Sequence, residues 1–467
     1  MLGLGRATMA GGAAFQPGNQ VILQIANVKI SYHPIRHGFI DINDLKFARF
    51  CHKGRSRKTR PLWLKNLRFP TRPSLAFPAL FATREAGATS FGSENLRRSI
   101  LPLLALAAGL VFAGGAQAQI KIGVAGPITG PDAAFGSQLK NGVEQAVEDI
   151  NASGGLLGKK LSLSVGDDAS DPKQGVSVAN KFVGDQISYV VGHFNSGVTI
   201  PASAIYAENN ILQITPSSTN PQITERNLET VFRTCGRDDQ QGSVAAQFLA
   251  AQKGKKIAIL HDRSTYGKGL ADETRKSLAA AGIKDVLYEG VNKGEKDYSA
   301  IVSKLKASGA DIIYWGGVHT EAGLLVRQMR DQGVQAVLMG GDGIASDEFA
   351  SIAGPGVEGT FMTFPPDPRN RPEAADVVKK FKAKNFNPET YTLYSYAAVQ
   401  ILKQAAEATK STDPAVIAKF MHSGAPFKTV IGDLSYDKKG DVTRADYVVY
   451  IWKKGPDGKI SYYELNK

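Results

Sequence analysis

From residue 120 onward, short apolar runs alternate with stretches that have a helical period. The run Ile120–Ala125 is typical of a strand, and residues 136–152 place their apolar side chains on one face of a helix that ends before Gly154. Further strands are predicted at 161–165, 188–192, 211–215, 256–260, 311–315, 336–339 and 359–364. Because nearly continuous apolar strands alternate with helices, the pattern predicts an α/β protein with parallel sheets covered on both faces.

This part of the chain is too long for one doubly wound sheet, so two α/β lobes are expected. Polar and proline-rich interruptions near 233–239 and 364–368 indicate where the chain passes from one lobe to the other. The predicted division assigns residues 119–237 and 366–444 to lobe 1, and residues 238–365 and 445–467 to lobe 2. Since ligands of open α/β sheets bind beyond the carboxyl ends of the strands, two facing lobes would enclose a binding cleft.

Charge is distributed unevenly along the 467 residues. Of the formal net charge of +13, +12 lies in residues 1–118, so the rest of the chain is balanced and no nucleic-acid partner is expected. Arg97-Arg98, the apolar run Ile100–Phe112 and the exit Ala116-Gln117-Ala118 are typical of a secretory signal peptide over residues 96–118. The run is too short, and too rich in Ala and Gly, to favour a membrane anchor. We therefore expect cleavage after about Ala118 and a periplasmic product.

A signal peptide normally begins a protein, but here residues 1–95 precede it. No Met lies between Met9 and Met329, so Leu96 could mark a non-AUG start codon, and we expect 1–95 to be an untranslated or disordered extension. Cys51 falls in that extension, which leaves Cys235 as the single cysteine of the remainder. This excludes an intramolecular disulfide and cysteine-based metal spacing there, and neither a metal nor a cofactor is expected.

Two loops carry the most suggestive polar chemistry. Residues 192–197 and 215–221 each follow an apolar strand and contain small hydroxyl residues at the predicted start of a helix. A helix N-terminus has partial positive charge and unpaired N–H donors, so such a pair of loops can hold a carboxylate. The alternative is that Ser and Thr simply cap helices at these places.

Motifs along the whole mature chain add a resemblance to this picture. They are Gly130-Pro131, 142–146, 167–174, 191–193, 214–216, His261-Asp262, Tyr266-Gly267 and Gly316-Gly317. With this colinear set, from Ile120 to about Gly458, the chain resembles the leucine/isoleucine/valine-binding protein family, the periplasmic receptors of branched-chain amino-acid ABC transporters. The resemblance implies two Rossmann-like lobes joined by three crossovers, which close on an amino acid like a hinged trap.

The resemblance also implies roles for individual residues. Ser196 and Thr219 match positions that bind the ligand carboxylate, and the Ser217 carbonyl matches an acceptor for the ligand ammonium. Asp342 matches the acid that pairs with that ammonium from the second lobe, with a helix N-cap as its alternative role, and Tyr266 matches an aromatic that contacts the ligand on closure. Aromatic residues that wall the side-chain pocket complete the match. The predicted ligand-binding residues are Phe135, Phe194, Asn195, Ser196, Ser217, Ser218, Thr219, Tyr266, Asp342 and Tyr391.

Several positions depart from the family pattern. Asp342 stands where the family often has Glu, Val318 replaces a tyrosine near the cleft, and Phe194 is bulkier than the usual aliphatic residue. The family's frequent disulfide is absent, because its two positions are Ser170 and Asn195. A shorter acid and a larger wall residue predict a ligand no larger than leucine, with alanine, valine, proline or a γ-amino acid as candidates.

The leading functional hypothesis is a non-enzymatic, monomeric receptor that delivers an amino acid to an inner-membrane ABC permease. A ligand-sensing regulator of the amide-sensor kind is one alternative, which the export signal at 96–118 does not favour. An enzyme is another, but His261-Asp262 with Ser264 lacks a G-x-S-x-G elbow. Gly123–Gly126 and Gly340–Gly343 do not complete a phosphate-binding motif, and are interpreted as tight strand-to-helix turns.

Overall fold

The structure is a computed structural model, and the chain divides into two compact units, residues 1–94 and 95–467. The residues that the structure describes are 21–25, 28–32, 119–444 and 446–465. In the first unit, β1 (Val21–Ile25) and β2 (Val28–Tyr32) pair as antiparallel strands. The predicted signal peptide and its cleavage point lie outside the described residues, as does most of the predicted extension.

The described part of the second unit contains two large sheets and a separate two-stranded sheet, and the first large sheet is entirely parallel. Its elements are β3 (Ile120–Gly126), α1 (Ala133–Ala152), β4 (Leu161–Asp167), α2 (Pro172–Gly184), β5 (Tyr189–Gly192), α3 (Ser196–Glu208), β6 (Leu212–Thr215), α4 (Gln222–Glu225) and β7 (Val231–Arg233). The strand order is β4-β3-β5-β6-β7. The short strands β5 and β6 are buried along their whole length. Burial fits the apolar residues of β5, whereas β6 also buries Gln213, whose amide donates to the Gly192 carbonyl at 2.7 Å.

The second sheet begins with parallel strands of the same kind. Its elements are α5 (Asp238–Ala251), β8 (Ile257–His261), α6 (Thr265–Ala280), β9 (Leu287–Gly290), α7 (Ser299–Ser308), β10 (Ile312–Gly316), α8 (His319–Asp331), β11 (Val337–Gly340), α9 (Asp347–Ala353) and β12 (Phe361–Phe364). One turn of 3₁₀ helix, Asp342–Ile344, follows β11. Every strand predicted from the sequence is confirmed, with its ends within two residues of the predicted ones.

After β12 the chain returns to the first sheet and then crosses back again. It forms α10 (Ala375–Ala383), α11 (Thr390–Thr409), α12 (Pro414–Met421), β13 (Phe427–Thr429), β14 (Gly432–Leu434), β15 (Val448–Lys454) and β16 (Ile460–Glu464). Helix α11 packs on α1 and reaches β5 and β6, whereas β15 and β16 complete the second sheet in the order β16-β15-β12-β11-β10-β8-β9. We call β3–β7, α1–α4 and α10–α12 the first lobe, and the elements on the second sheet the second lobe.

The predicted parallel sheets are confirmed, and the second sheet adds two antiparallel pairings at one edge. Strand β15 pairs antiparallel with β12, and β16 pairs antiparallel with β15. An antiparallel partner needs only a tight turn or a return from the opposite end, so the last crossing can add two strands without intervening helices. The residue numbers predicted for the lobe boundaries stay predictions.

The loops that follow β5, β6, β10 and β11 lie at the carboxyl ends of parallel strands, where the two lobes face each other. The segment Gly123–Gly126, interpreted above as a turn, instead lies within β3. No described helix combines enough length with enough apolar surface to cross a lipid bilayer.

Candidate functional site

Buried polar contacts hold the loop between β5 and α3 in place. The ring of His193 lies between Asp168, with Nδ1 to Oδ2 2.7 Å, and Tyr206, with Nε2 to the hydroxyl oxygen 3.0 Å. The His193 carbonyl accepts hydrogen bonds from the hydroxyls of Thr215 and Ser218, at 2.8 and 3.1 Å. These contacts fix the start of α3, where the first backbone N–H groups have no partner inside the helix.

The loop after β6 is tied both to the start of α3 and to a buried arginine. The N–H of Asn220 donates to the Ser196 hydroxyl at 3.3 Å. Arg233, which is fully buried, donates to the Ser218 carbonyl at 2.9 Å and to the Asn220 carbonyl, and forms an ion pair with Asp441 at 2.7 Å. With its carbonyls held by Arg233, this loop has a fixed orientation relative to the start of α3.

The second lobe contributes one buried acid to the same cleft. Asp342 is 3 % exposed, and its Oδ1 accepts a hydrogen bond from the Tyr266 hydroxyl at 2.8 Å. The Tyr266 hydroxyl oxygen in turn accepts from the N–H of Gly343 at 2.9 Å. Gly341 allows this close approach, because a Cβ there would lie 3.0 Å from the Tyr266 hydroxyl and 2.4 Å from Leu270.

Asp342 also has a partner on the opposite lobe. The hydroxyl of Tyr391, on α11, donates to Asp342 Oδ2 at 2.6 Å. Burial raises the pKa of the Asp342 carboxyl above its ordinary value, although the hydroxyls of Tyr391 and Tyr266 oppose that shift. Burial and the neighbouring Asp342 charge also raise the pKa of both tyrosines, so they remain hydrogen-bond donors.

These residues surround a cavity between the lobes, with about 250 Å³ of space not filled by protein atoms, including the part open to solvent. Seven of the ten residues predicted from the sequence line it, and the structure adds Val318 and Gly343. The lining residues are Phe194, Asn195, Ser196, Ser217, Tyr266, Val318, Asp342, Gly343 and Tyr391.

The remaining three predicted residues lie behind the lining. Phe135 stacks on Phe194 with ring centroids 4.3 Å apart, so it supports the wall rather than forming it. The hydroxyl of Ser218 contacts the Phe194 carbonyl at 2.8 Å and the Thr199 hydroxyl at 2.6 Å. Thr219 is fully buried, and its carbonyl accepts from the N–H of Asp238.

Val318 and Gly343 have no polar side-chain chemistry, which is why no binding role was predicted for them. Val318 precedes α8, and Gly343 belongs to the 3₁₀ turn beside Asp342. The position of Gly343 next to the predicted acid, in a glycine-rich segment, is the signal that could have identified it.

The cavity pairs hydrogen-bond donors at the start of α3 with a carboxylate from the second lobe. A zwitterion taken out of water needs both, because an unpaired buried charge costs several kcal/mol. Ser264, which was considered above with His261 and Asp262 as a possible enzyme site, has a structural role here. Its hydroxyl donates to Asp262 at 2.6 Å and caps α6. Within the described residues, no His, Cys, Asp and Glu side chains cluster in a way that could hold a metal ion.

Cys235 lies in the first crossing between the lobes and is a buried free thiol, 4 % exposed. Its pKa is raised by burial. A buried, protonated thiol is a poor nucleophile, so Cys235 packs as a small apolar residue.

Comparisons with known proteins agree with the fold. Residues 119–457 match the model of the family described as periplasmic binding protein. A Leu/Ile/Val-binding protein homolog from Brucella suis is 57 % identical over 370 residues, covering 79 % of this chain and 100 % of that protein.

Two solved structures are similar in fold over 74 % of this chain. A leucine-binding protein from Thermotoga maritima has a TM-score of 0.67 at 27 % identity, with 97 % of that chain covered. A branched-chain amino-acid transporter substrate-binding protein from Streptococcus pneumoniae, in complex with isoleucine, has a TM-score of 0.67 at 26 % identity, with 100 % covered.

Proposed function

Because the chain belongs to the periplasmic binding protein family, we propose that it is the receptor of an ABC transporter and binds a small amino acid between its lobes. The observation that carries this proposal is one cavity that joins the start of α3, at Ser196, to the buried acid Asp342. The first would hold the ligand carboxylate and the second its ammonium. The names of the relatives, which refer to leucine, isoleucine and valine, support an aliphatic ligand.

The proposed ligand is no larger than leucine. Asp342 reaches one methylene less far than the glutamate of the family pattern, and the ring of Phe194, stacked on Phe135, occupies part of the side-chain space. Alanine, valine, proline and a γ-amino acid are the candidates, and a longer separation between carboxylate and ammonium suits the shorter acid.

The remaining parts of the proposal concern location and partners. The receptor would act in the periplasm as a monomer and hand its ligand to an inner-membrane permease, without catalysing a reaction. A periplasmic extract that contains the protein without residues 1–118 would support export. A regulator in the cytoplasm would keep that segment.

The test of function is titration calorimetry of residues 119–467 with a panel of amino acids. We expect the tightest binding to an aliphatic or γ-amino acid, and a melting temperature that rises with its concentration. Tightest binding to an aromatic or basic amino acid would contradict the proposed ligand class, and no binding by any member would contradict the receptor function.

The role of Asp342 is tested by Asp342→Asn, which keeps the shape of the side chain but removes its charge. Loss of one partner from a buried charge pair costs about 2–5 kcal/mol, so the Kd should rise at least thirtyfold. Asp433→Asn, an exposed acid on β14, is the matched control and should bind like the wild type. Near-normal affinity of Asp342→Asn would mean that the ammonium partner is a different residue.

A further inference from the structure

A second charged contact crosses the cleft beside the proposed ligand cavity. Lys293, in the loop between β9 and α7 of the second lobe, places its Nζ 2.5 Å from Asp132 Oδ2. Asp132 immediately precedes α1 of the first lobe. The side chain of Asp132 is fully buried and that of Lys293 is 26 % exposed, so solvent screens this ion pair little.

The first lobe holds Asp132 in place independently of Lys293. The Ser170 hydroxyl donates to Asp132 Oδ2 at 2.5 Å, and the Asn195 amide donates to the same oxygen at 3.3 Å. Both residues occupy the positions at which the family pattern often has a disulfide. In this chain the two positions hold a carboxylate that points at the opposite lobe, and Asn195 also lines the proposed ligand cavity.

On the second lobe, Lys293 lies near two buried acids. Asp262 and Glu321 are almost completely buried, and both carboxylates act electrostatically on Lys293. The N–H of Gly294, next to Lys293, donates to Glu321 Oε1 at 2.9 Å, which fixes the loop. Although burial opposes it, the nearby Asp132 charge raises the pKa of Lys293, so the lysine is cationic in this contact.

The ion pair also lies close to the route into the ligand cavity. Lys293, Ser170 and Asp262 line a wider opening between the lobes, and this opening shares Asn195 and Ser196 with the ligand cavity. Since Asp132 and Lys293 belong to different lobes, their contact exists only while the lobes are closed. A contact made in one state alone shifts the equilibrium towards that state.

From these contacts we infer that Lys293 is a positioning residue of the binding reaction: it holds the closed lobes together through Asp132 and thereby sets the rate of ligand dissociation. The inference rests on the proposed function, since it requires lobes that close on a ligand. Lys293 does not line the ligand cavity, so its effect on affinity should come from dissociation rather than from ligand contact.

The experiment measures association and dissociation rates by stopped-flow fluorescence, with L-alanine, L-valine and L-leucine as probes. Lys293→Met keeps most of the length of the side chain and removes its charge. We expect its dissociation rate to rise at least tenfold while the association rate stays within about threefold. The ligand meets the open form, in which the ion pair is not made, so the loss of that ion pair has little effect on association. Lys293→Arg should recover most of the wild-type rate.

The matched control is Lys268→Met, which breaks an ion pair with Asp272 inside α6, so that both partners belong to the second lobe. Its rates should equal those of the wild type. Asp132→Asn provides a second variant, and the double variant with Lys293→Met should dissociate no faster than the faster single one, because both remove the same contact.

A wild-type dissociation rate in Lys293→Met would overturn the inference while leaving the receptor function intact. The same would follow if Lys268→Met accelerated dissociation equally. If the wild-type protein bound none of the panel of amino acids, the proposed function would fail first, and this inference with it.

Discussion

At the scale of single residues, Tyr391 lines the cavity and also forms a hydrogen bond between the lobes. Its hydroxyl lies on the first lobe and donates to Asp342 on the second, so this hydrogen bond can form only when the lobes are together. Tyr266 makes a similar bond to the other oxygen of Asp342, but from the same lobe. Two bonds of nearly equal length should therefore contribute differently to binding.

Tyr391→Phe tests that difference. A hydrogen bond to a charged group contributes about 1.5–3 kcal/mol, so its loss from the closed state should raise the Kd of the tightest amino acid about tenfold or more. The control is Tyr396→Phe on the same helix, whose hydroxyl donates to Asp149 at 2.8 Å within the first lobe. Calorimetry should find a changed Kd for Tyr391→Phe alone, and equal losses in both variants would contradict a role in closure.

The sequence located most of the lining residues because their chemistry is visible in the residue types. Asp342 and Ser196 carry the charge and the hydroxyl that a zwitterion requires, and each follows a predicted strand. The direction in which a side chain points is harder to predict. Ser217 lines the cavity, whereas its neighbour Ser218 turns its hydroxyl into the loop. Consecutive hydroxyl residues in a loop give no period from which to tell the two apart.

At the scale of elements, helices α1 and α11 approach so closely that one position admits only glycine. A Cβ on Gly142 would lie 2.2 Å from the carbonyl oxygen of Thr392 and 2.9 Å from the Ser395 Cβ. Helix α11 carries Tyr391 and Phe135 precedes the contact on α1, so this crossing positions the aromatic wall of the cavity.

Gly142→Ala should therefore destabilise the protein, by about 1–3 kcal/mol, because the added methyl group forces the two helices apart. Gly184→Ala is the control: it also lies in a helix, and a Cβ there would meet no atom within 4 Å. Alanine is the better helix former, so urea unfolding should show an unchanged or slightly higher stability for Gly184→Ala. A Gly142→Ala variant as stable as the wild type would mean that the crossing is loose.

The elements that the sequence did not predict are short, half-buried or paired at an edge. Strand β7 has only three residues, and β9 is partly exposed along its whole length, so neither gives a long apolar run. Strands β15 and β16 end in polar residues such as Lys453 and Lys454. Their pairing depends on the return of the chain from the first lobe, which local patterning does not encode.

At the scale of the whole molecule, Glu389 is a titratable group at the contact between the lobes. Its carboxylate, in front of α11, accepts from the Gln138 amide at 3.1 Å and from the N–H of Asp347 on the second lobe at 3.3 Å. Burial, and after it the nearby Asp347 charge, raise the pKa of Glu389 to about 7. The closed, folded protein therefore favours the protonated form of this residue.

The sign of the pH dependence follows from that shift. Below the ordinary carboxyl range Glu389 is protonated in both the folded and the unfolded chain, whereas above about pH 7 the folded protein bears an unfavourable charge. Stability should fall as the pH rises towards 7. Glu389→Gln removes the penalty, so urea unfolding should show a gain of about 1–2 kcal/mol at pH 8 and little change at pH 4.

The opposite result, a loss of stability at pH 8 in Glu389→Gln, would mean that the ionised carboxylate is favourable in this contact. Glu407→Gln, which removes an exposed acid near the other end of α11, is the matched control. Its effect should be small at both pH values.

The shielded thiol of Cys235 has a practical consequence. Within residues 119–444 and 446–465 it is the single sulfhydryl, and burial keeps it from reacting. A cysteine introduced at the rim of the opening, for example at the exposed position Asn292, would then be the preferred attachment point for a maleimide dye on residues 119–467. Fluorescence from that dye would turn the protein into an optical sensor for the solute that it captures.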